Sequence, residues 1–326
     1  MKISIIIPVY NEEYYIKKSL SALTNLIYPK DDYEIIVVND GSTDRTLKSI
    51  REKIIIARKK NLKIKIVNLK TNEGRSKARN IGAKKSKYNN LLFIDSRTIA
   101  DKSILINLKK INYQPLVGNA IIDHTQSDIH RFKYLIKLKL YPNSFGNKFI
   151  PTYITKDNFD KISKGTGVFF CDKDLFLSSQ PQNQSKNSSD DTKLLFTIVQ
   201  KRNILKHPGV IVKSEVRSSL KDEIIHTYNR GIKFTDYYLN IKKKNFWIFI
   251  FLPSLTILIT IFIFLNYIFL IPYYLLLLII FFVNISIFFS NSISDFFIIS
   301  KLLIILGFSF ILGIYRGLAL KIIDKF

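Results

Sequence analysis

Residues 3–12 read Ile3-Ser4-Ile5-Ile6-Ile7-Pro8-Val9-Tyr10-Asn11-Glu12. The run is short, apolar and nearly unbroken, the pattern of a strand buried on both faces. Pro8 is expected to end it, and Asn11-Glu12 follow in a polar turn. Three more runs repeat the design. Glu34–Val38 leads into Asn39-Asp40-Gly41, Leu62–Val67 precedes Asn72-Glu73-Gly74, and Leu91–Ile94 ends at Asp95. Between the first two runs, Tyr15, Ile16, Leu20, Leu23 and Ile27 recur at helical spacing. Buried strands that alternate with helices predict an α/β fold with a parallel sheet covered on both sides. Such sheets bind ligands at the carboxyl ends of their strands, where the Asp, Asn and Glu residues gather here.

Further along, Leu116–Asp123 and Val168–Cys171 read as strands, in a less regular half. The polar run 178–189 reads as a mobile loop. Asp190-Asp191-Thr192 opens a helix expected to reach Gln200, since acids favour the positive helix end. No internal repeat is present.

The chain has 326 residues with 50 Lys and Arg against 25 Asp and Glu, a net charge of +25. A hydrophobic share of 47% excludes a disordered chain, and the single cysteine, Cys171, excludes an intramolecular disulfide framework. The charge is unevenly spread. Phe246–Ser290 contains no charged residue in 45 positions, whereas residues 1–245 carry 46 Lys and Arg against 23 acids. Stretches of about 20 apolar residues are long enough to cross a bilayer as helices. Two are expected, at about 246–270 and 272–290. A third candidate, about 296–320, holds Lys301 and Arg316; it either crosses or lies in the interface.

The expected organisation is thus a domain over 1–240 and a membrane anchor over 241–326 with two to three helices. Trp247 and Tyr267 suit interface positions. Lys242, Lys243 and Lys244 abut the first span, and Met1-Lys2 leads into no signal-peptide pattern. The positive-inside rule then places residues 1–245 in the cytoplasm of a multi-pass inner (cytoplasmic) membrane protein. If the third segment crosses, Arg316, Lys321 and Lys325 end outside, against that rule. The positive charge suits anionic lipid or a phosphorylated ligand. Nucleic acid is not expected as a partner, because no recognition motif is present.

Several residues at the strand ends carry chemistry. Asp44 can cap a helix beginning near Arg45. A carboxylate such as Asp40 can accept from a base N–H or a ribose hydroxyl. Gly74 precedes a helix over Arg75–Ser86 whose first turns hold Arg75, Lys77 and Arg79, a setting suited to a diphosphate. Asp95 lies where a buried strand meets solvent, a place for an acid that contacts a metal or a sugar. Each of these acids could also be an ordinary turn residue; their joint placement at four strand ends points to an anionic nucleotide ligand. His124, His130, His207 and His226 are scattered and suggest no metal site.

Ser4-Ile5-Ile6-Ile7-Pro8-Val9-Tyr10-Asn11-Glu12, Val38-Asn39-Asp40-Gly41-Ser42-Thr43-Asp44 and Asn72–Gly82 resemble, in order and spacing, the first three motifs of family-2 inverting glycosyltransferases. Phe93-Ile94-Asp95-Ser96-Arg97 falls where that family has its Asp-x-Asp motif. Gly165-Thr166-Gly167 with Phe169 resembles a later glycine-containing strand, and Asp190-Asp191 resembles the acidic pair that supplies the base. The matches cover about residues 1–235.

The resemblance implies a GT-A, Rossmann-like nucleotide-diphospho-sugar transferase domain followed by an α-helical membrane domain. Pro8, Tyr10 and Glu12 would line the nucleotide pocket and Asp40 would bind the base. Gly74, Arg75 and Arg79 would lie near the diphosphate, with Ser96 and Gly165 also on the substrate. Asp95 would face the ribose, the diphosphate or a divalent metal, Mg²⁺ or Mn²⁺. Asp191 would be the general base, with Asp190 beside it as substrate contact or rival.

Arg97 departs from the pattern, standing where the family usually has a second acid. Asp95 alone then holds the metal, or Arg97 itself neutralises the diphosphate, or activity is weakened. The implied function is transfer of a sugar from a nucleotide-diphosphate donor, a UDP-sugar first, to a membrane lipid or lipid-linked saccharide in cell-surface polysaccharide synthesis. The alternatives are transfer to polyprenyl phosphate and a non-catalytic membrane protein that binds nucleotide sugar.

Overall fold

The computed structural model describes residues 1–326 except 147–148, 182–189, 218, 240–247, 249–250 and 324–326. Lys242, Lys243, Lys244 and Trp247, most of the polar run 178–189 and the start of the first apolar segment lie outside the described residues. The described residues fall into two compact units. One is built from Met1–Asp123, Leu140–Lys186 and Asp190–Val216, the other from His124–Lys139 and Arg217–Phe326.

The first unit is organised on one sheet. Its strands are β1 (Ile3–Val9), β2 (Tyr33–Asn39), β3 (Ile64–Asn68), β4 (Asn90–Ile94), β5 (Thr98–Ala100), β6 (Leu116–Ile122), β7 (Thr152–Ile154), β8 (Val168–Asp172) and β9 (Ile204–Ser214). They run in the order β3-β2-β1-β4-β8-β6-β9-β5, and β7 pairs with β9. β1 lies parallel to both β2 and β4, and β2 parallel to β3. This is the parallel half that the apolar runs predict. Every residue of β1 and β2 is buried, because helices cover both faces. Beyond β4 the sheet turns mixed: β8 is antiparallel to β4 and β6, and β9 is parallel to β6. A wholly parallel sheet is therefore not what forms.

Two local expectations are corrected. Pro8 does not end β1 but sits inside it opposite Val38, and the chain leaves the sheet only after Val9. Ile27 falls outside the first helix, α1 (Glu13–Leu23), and is exposed; Ile16, Leu20 and Leu23 form the buried stripe. β3 is an edge strand only half-buried, with Lys65 turned out to reach Glu34 at 2.9 Å.

The remaining helices of this unit are α2 (Thr46–Arg58), α3 (Arg75–Lys85), α4 (Ile104–Ile111), α6 (Lys173–Ser178) and α7 (Asp190–Lys201). α3 positions the site. It is rich in charge and buries only small groups besides Arg79: Ser76, Ala78, Gly82 and Ala83. A side chain at Gly82 would place its Cβ 2.5 Å from the Ile6 side chain, so glycine there lets α3 lie tight against β1.

The second unit contains α5 (Asp128–Leu140, of which 128–139 fall here), α8 (Leu220–Tyr237), α9 (Leu252–Asn266), α10 (Ile271–Phe289) and α11 (Ile293–Ile323). Two described helices, α10 and Ile293–Lys321 within α11, are long and apolar enough to cross a membrane; α9 is apolar but shorter. By length and composition these two are candidate membrane helices.

Candidate active site

The loops after β1, β2 and β3 are stitched together by their own polar residues. Asn11, at φ +51°, donates its backbone N–H to Ser42 Oγ at 3.0 Å, and its side-chain oxygen accepts the Thr43 N–H at 2.8 Å. The Glu12 N–H donates to Thr46 Oγ1 at 2.7 Å, and Asp44, one residue ahead of the N-cap Arg45, accepts the Thr46 N–H at 2.9 Å. Gly41 takes φ +67°, and a Cβ on it would lie 2.4 Å from the backbone of Thr71. Only glycine meets both demands.

Asp40 is buried at the end of β2. Its two carboxylate oxygens accept the N–H groups of Glu73 at 2.7 Å and Gly74 at 2.9 Å. It thereby fixes the turn in which Gly74, at φ +95°, starts α3. The bond geometry shows Asp40 as the pin of this loop. Pro8 is buried within β1, Tyr10 is exposed beyond its end, and Ser96 is buried after β4.

Arg75 and Arg79 are one turn apart on α3 and face the same way. Arg79 is almost wholly buried, its side chain 2% exposed, and it donates from Nη2 to Asp95 Oδ1 and from Nη1 to Asp191 Oδ1, each at 2.5 Å. Its Nη2 also reaches the Thr166 carbonyl at 3.3 Å. Arg75 is half-exposed; it bonds Asp191 through Nη2 and lies 3.6 Å from Asp95 Oδ2 through Nη1. Two guanidiniums thus bridge two carboxylates. The carboxylates, Asp191 first and Asp95 and Asp190 after it, hold the Arg75 guanidinium above its ordinary value.

Each member of this group comes from a different part of the chain. Asp95 ends β4, and its N–H donates to the Gly167 carbonyl at 3.0 Å. Asp191 sits in the first turn of α7, with Asp190 buried beside it. Gly165 is half-buried next to open space: a Cβ on it would meet nothing within 4 Å.

Arg97 does not join Asp95. Its Nε pairs with Glu12 Oε1 at 2.7 Å, and its guanidinium lies over the Tyr15 ring at 4.3 Å from the centroid. The pair joins the first loop to the segment after β4, and the cation neutralises an acid of the first motif. Tyr15 is a member of this site that helical spacing alone assigned to the core.

Among the described residues no group of three His, Cys, Asp or Glu could hold a metal ion. Asp95, about a quarter exposed, would be the one carboxylate here to hold a divalent ion, which would supply charge neutralisation to a bound diphosphate. Arg79 Nη2 lies on one Asp95 oxygen and Arg75 Nη1 near the other, so such an ion would share this carboxylate with two guanidiniums.

The sheet domain is similar to known proteins. Residues 4–135 match the family Glycosyl transferase family 2. The chain is similar to poly(ribitol-phosphate) beta-N-acetylglucosaminyltransferase TarS of Staphylococcus aureus, with 35% identity over 140 residues, 43% of this chain and 21% of TarS. It is similar to poly-beta-1,6-N-acetyl-D-glucosamine synthase of Staphylococcus epidermidis, with 37% identity over 99 residues, 30% of this chain and 22% of that one. The matched stretch is about a fifth of the length of these relatives.

Two solved structures share the fold. The mannosyltransferase PcManGT from Pyrobaculum calidifontis, in complex with GDP-Man and Mn²⁺, superposes with a TM-score of 0.55 at 17% identity over 73% of this chain and 63% of that one. S. aureus TarS 1-349 in complex with UDP-GlcNAc gives 0.51 at 20% identity, over 74% and 68%. Residues 4–135 are therefore the part that matches Glycosyl transferase family 2, and the sheet has the GT-A fold.

Proposed function

We propose that this chain is an inverting glycosyltransferase that moves a sugar from a nucleoside-diphosphate donor, a UDP-sugar first, to an acceptor at a membrane in cell-surface polysaccharide synthesis. The observation that carries this reading is the bridge of Arg75 and Arg79 between Asp95 and Asp191, at the carboxyl ends of the strands. The similarity to one enzyme named a poly(ribitol-phosphate) beta-N-acetylglucosaminyltransferase and another named a poly-beta-1,6-N-acetyl-D-glucosamine synthase supports it. The apolar helices favour a lipid-linked saccharide as acceptor, because they keep the chain at the surface where such a substrate resides.

In this reading Asp191 takes the proton of the acceptor hydroxyl as its oxygen attacks the anomeric carbon. The bond from that carbon to the diphosphate oxygen breaks, and the nucleoside diphosphate leaves with the electron pair. The base must come within about 3 Å of the hydroxyl. The leaving group gains negative charge, which fixed cations stabilise. Arg75 and Arg79 divide that work by exposure. Buried Arg79 positions both acids. Half-exposed Arg75 can turn to the incoming diphosphate, which competes with Asp191 for it and frees that carboxylate to act as a base. A divalent ion held at Asp95 would add further charge neutralisation at the diphosphate. Asp40 and the loops it pins would hold the nucleoside, with Pro8, Tyr10, Glu12 and Ser96 around it.

The test is a screen of labelled nucleotide sugars against membrane lipids and lipid-linked saccharides, with and without EDTA. Transfer is expected, and Asp191→Asn should lower it by roughly a hundred- to ten-thousand-fold. A product with one sugar on one lipid phosphate would replace the saccharide acceptor by the lipid phosphate. Absence of transfer with any donor that binds would overturn the enzymatic reading.

A further inference from the structure

The longest apolar helix, α11, is long enough to cross a membrane, yet both of its ends are bonded to helices from the same part of the chain. Near its start, buried Asp295 accepts two bonds from Arg131 of α5, from Nε at 2.7 Å and Nη2 at 3.0 Å. Further along, Ser309 Oγ donates to the Ile224 carbonyl of α8 at 2.8 Å, and Phe310 meets Phe234 edge-on at 5.4 Å. Near its end, Lys321 donates to the Thr235 carbonyl. Partner numbers rise together, so α8 and α11 run parallel.

Their contact is backbone on backbone. A Cβ on Gly231 would lie 2.2 Å from the Phe310 carbonyl oxygen, and one on Gly313 2.1 Å from that of Tyr228. Small residues four apart, Gly313 and Gly317, make that approach possible.

Two magnitudes decide what this means. From Asp295 to Lys321 the helix rises about 39 Å at 1.5 Å per residue, more than the roughly 30 Å hydrocarbon core. A crossing α11 would put those residues on opposite sides. α5, however, lies between strands β6 and β7, and α8 follows β9, all of one sheet and all ahead of the first apolar helix. α8 itself carries Lys221, Asp222, Glu223, Arg230, Lys233 and Asp236. Charged residues in such number are strongly disfavoured at a helix centre in lipid, so α8 stays out of the core and holds the second half of α11 out with it.

We infer that α11 does not cross the membrane but lies in its plane, with its open face on the boundary between headgroups and acyl chains. That face is already shaped for the task. Ile293, Phe297, Ile304, Phe308 and Leu312 are all exposed along one stripe, while Ile299, Leu302, Leu306 and Ile314 are buried on the other side. Exposed Lys301 and Arg316 stand on the same stripe, where long cationic side chains reach phosphate headgroups from an apolar bed. α9 and α10 then form a hairpin that enters and returns. The segment that motif and composition left open between crossing and lying flat is assigned to the second.

The test uses the full chain in sealed vesicles, with Cys171→Ser as background, and needs no catalytic readout, so its failure is separate from failure of the transferase reading. Asn291→Cys, two residues before α11, and Arg316→Cys, about 35 Å along the helix from its first residue, are labelled with a membrane-impermeant maleimide, with Asn229→Cys on α8 as reference. All three should label from the same side. Labelling of the first two from opposite sides overturns the inference. A second measurement places Trp at Phe297 or Phe308 in a Trp247→Phe chain and quenches it with lipids brominated at known depths. Both should sit at one shallow depth, about 5–10 Å below the headgroups. A Phe308→Trp signal quenched best at the bilayer centre overturns it.

Discussion

Arg79 holds Asp191 at 2.5 Å from a side chain that is almost wholly buried. The residues are 112 apart in sequence, and the same guanidinium holds Asp95 at 2.5 Å. A buried cation shared by the proposed base and the acid that follows β4 sets their separation.

Replacing Arg79 should therefore damage structure and activity together. Arg79→Met leaves two carboxylates with one half-exposed arginine between them, and the loss is expected to be about 3 kcal/mol of stability, at the low end for breaking a buried ion pair because both acids reach solvent. Denaturant titration checks this. In the double variant with Asp191→Asn the two effects should fall well short of their sum, since they remove one interaction.

Arg75→Gln should separate binding from folding. Arg75 is half-exposed, so stability should stay within about 0.5 kcal/mol of the wild type. Donor affinity should fall by roughly ten- to a hundred-fold, the worth of one charge-assisted hydrogen bond of about 1.5–3 kcal/mol. Calorimetric titration with UDP reads this directly, and unchanged affinity would return Arg75 to a purely structural role.

How much of this was legible without coordinates follows from separation along the chain. β1, β2 and β4 are continuous apolar runs, and such runs have few other uses. β9 was missed because Pro208-Gly209 interrupts it. The register with β6 skips from Lys206 to Ile211 there, so the interruption is a bulge rather than an end. α5 was missed because Arg131 and Lys133 break its apolar stripe, and their partners, Asp295 and Glu223, lie 164 and 90 residues away. At the site, motif resemblance brought Arg79, Asp95 and Asp191 to one pocket. That they touch one another depends on the packing of α3 on β1, and that Arg97 meets Glu12 on the pairing of β1 with β4; local patterns encode neither.

Glu34 makes the acid limb of stability specific. It is buried in β2; burial alone would raise its carboxyl, but Lys65, the Lys87 N–H and Ser4 outweigh that and hold it below 4.5. A carboxyl depressed in the folded state contributes stability that is present above its unfolded value and lost as pH falls through the folded one. Melting temperature of the full chain in detergent should therefore fall below about pH 4.5, and Glu34→Gln should show a shallower decline over that window while being less stable at neutral pH. Parallel curves for the two proteins would refute the assignment.

Arg97 offers the sharpest contrast between motif and geometry. Restoring an acid by Arg97→Asp would complete the Asp-x-Asp pattern, and motif logic expects better metal binding. The geometry expects the reverse, because Arg97 bonds Glu12 at 2.7 Å and covers Tyr15. The variant sets a second carboxylate against Glu12 and removes the cation over the ring. Stability should drop by about 1–3 kcal/mol, the range for a charged hydrogen bond lost from a largely buried site. Adding Glu12→Gln should recover part of that loss by removing the like charge, while transfer stays low and its response to Mn²⁺ stays that of the wild type. A stable Arg97→Asp protein with new Mn²⁺-dependent transfer would show instead that Asp95 accepts a partner acid and that the Glu12 pair is dispensable.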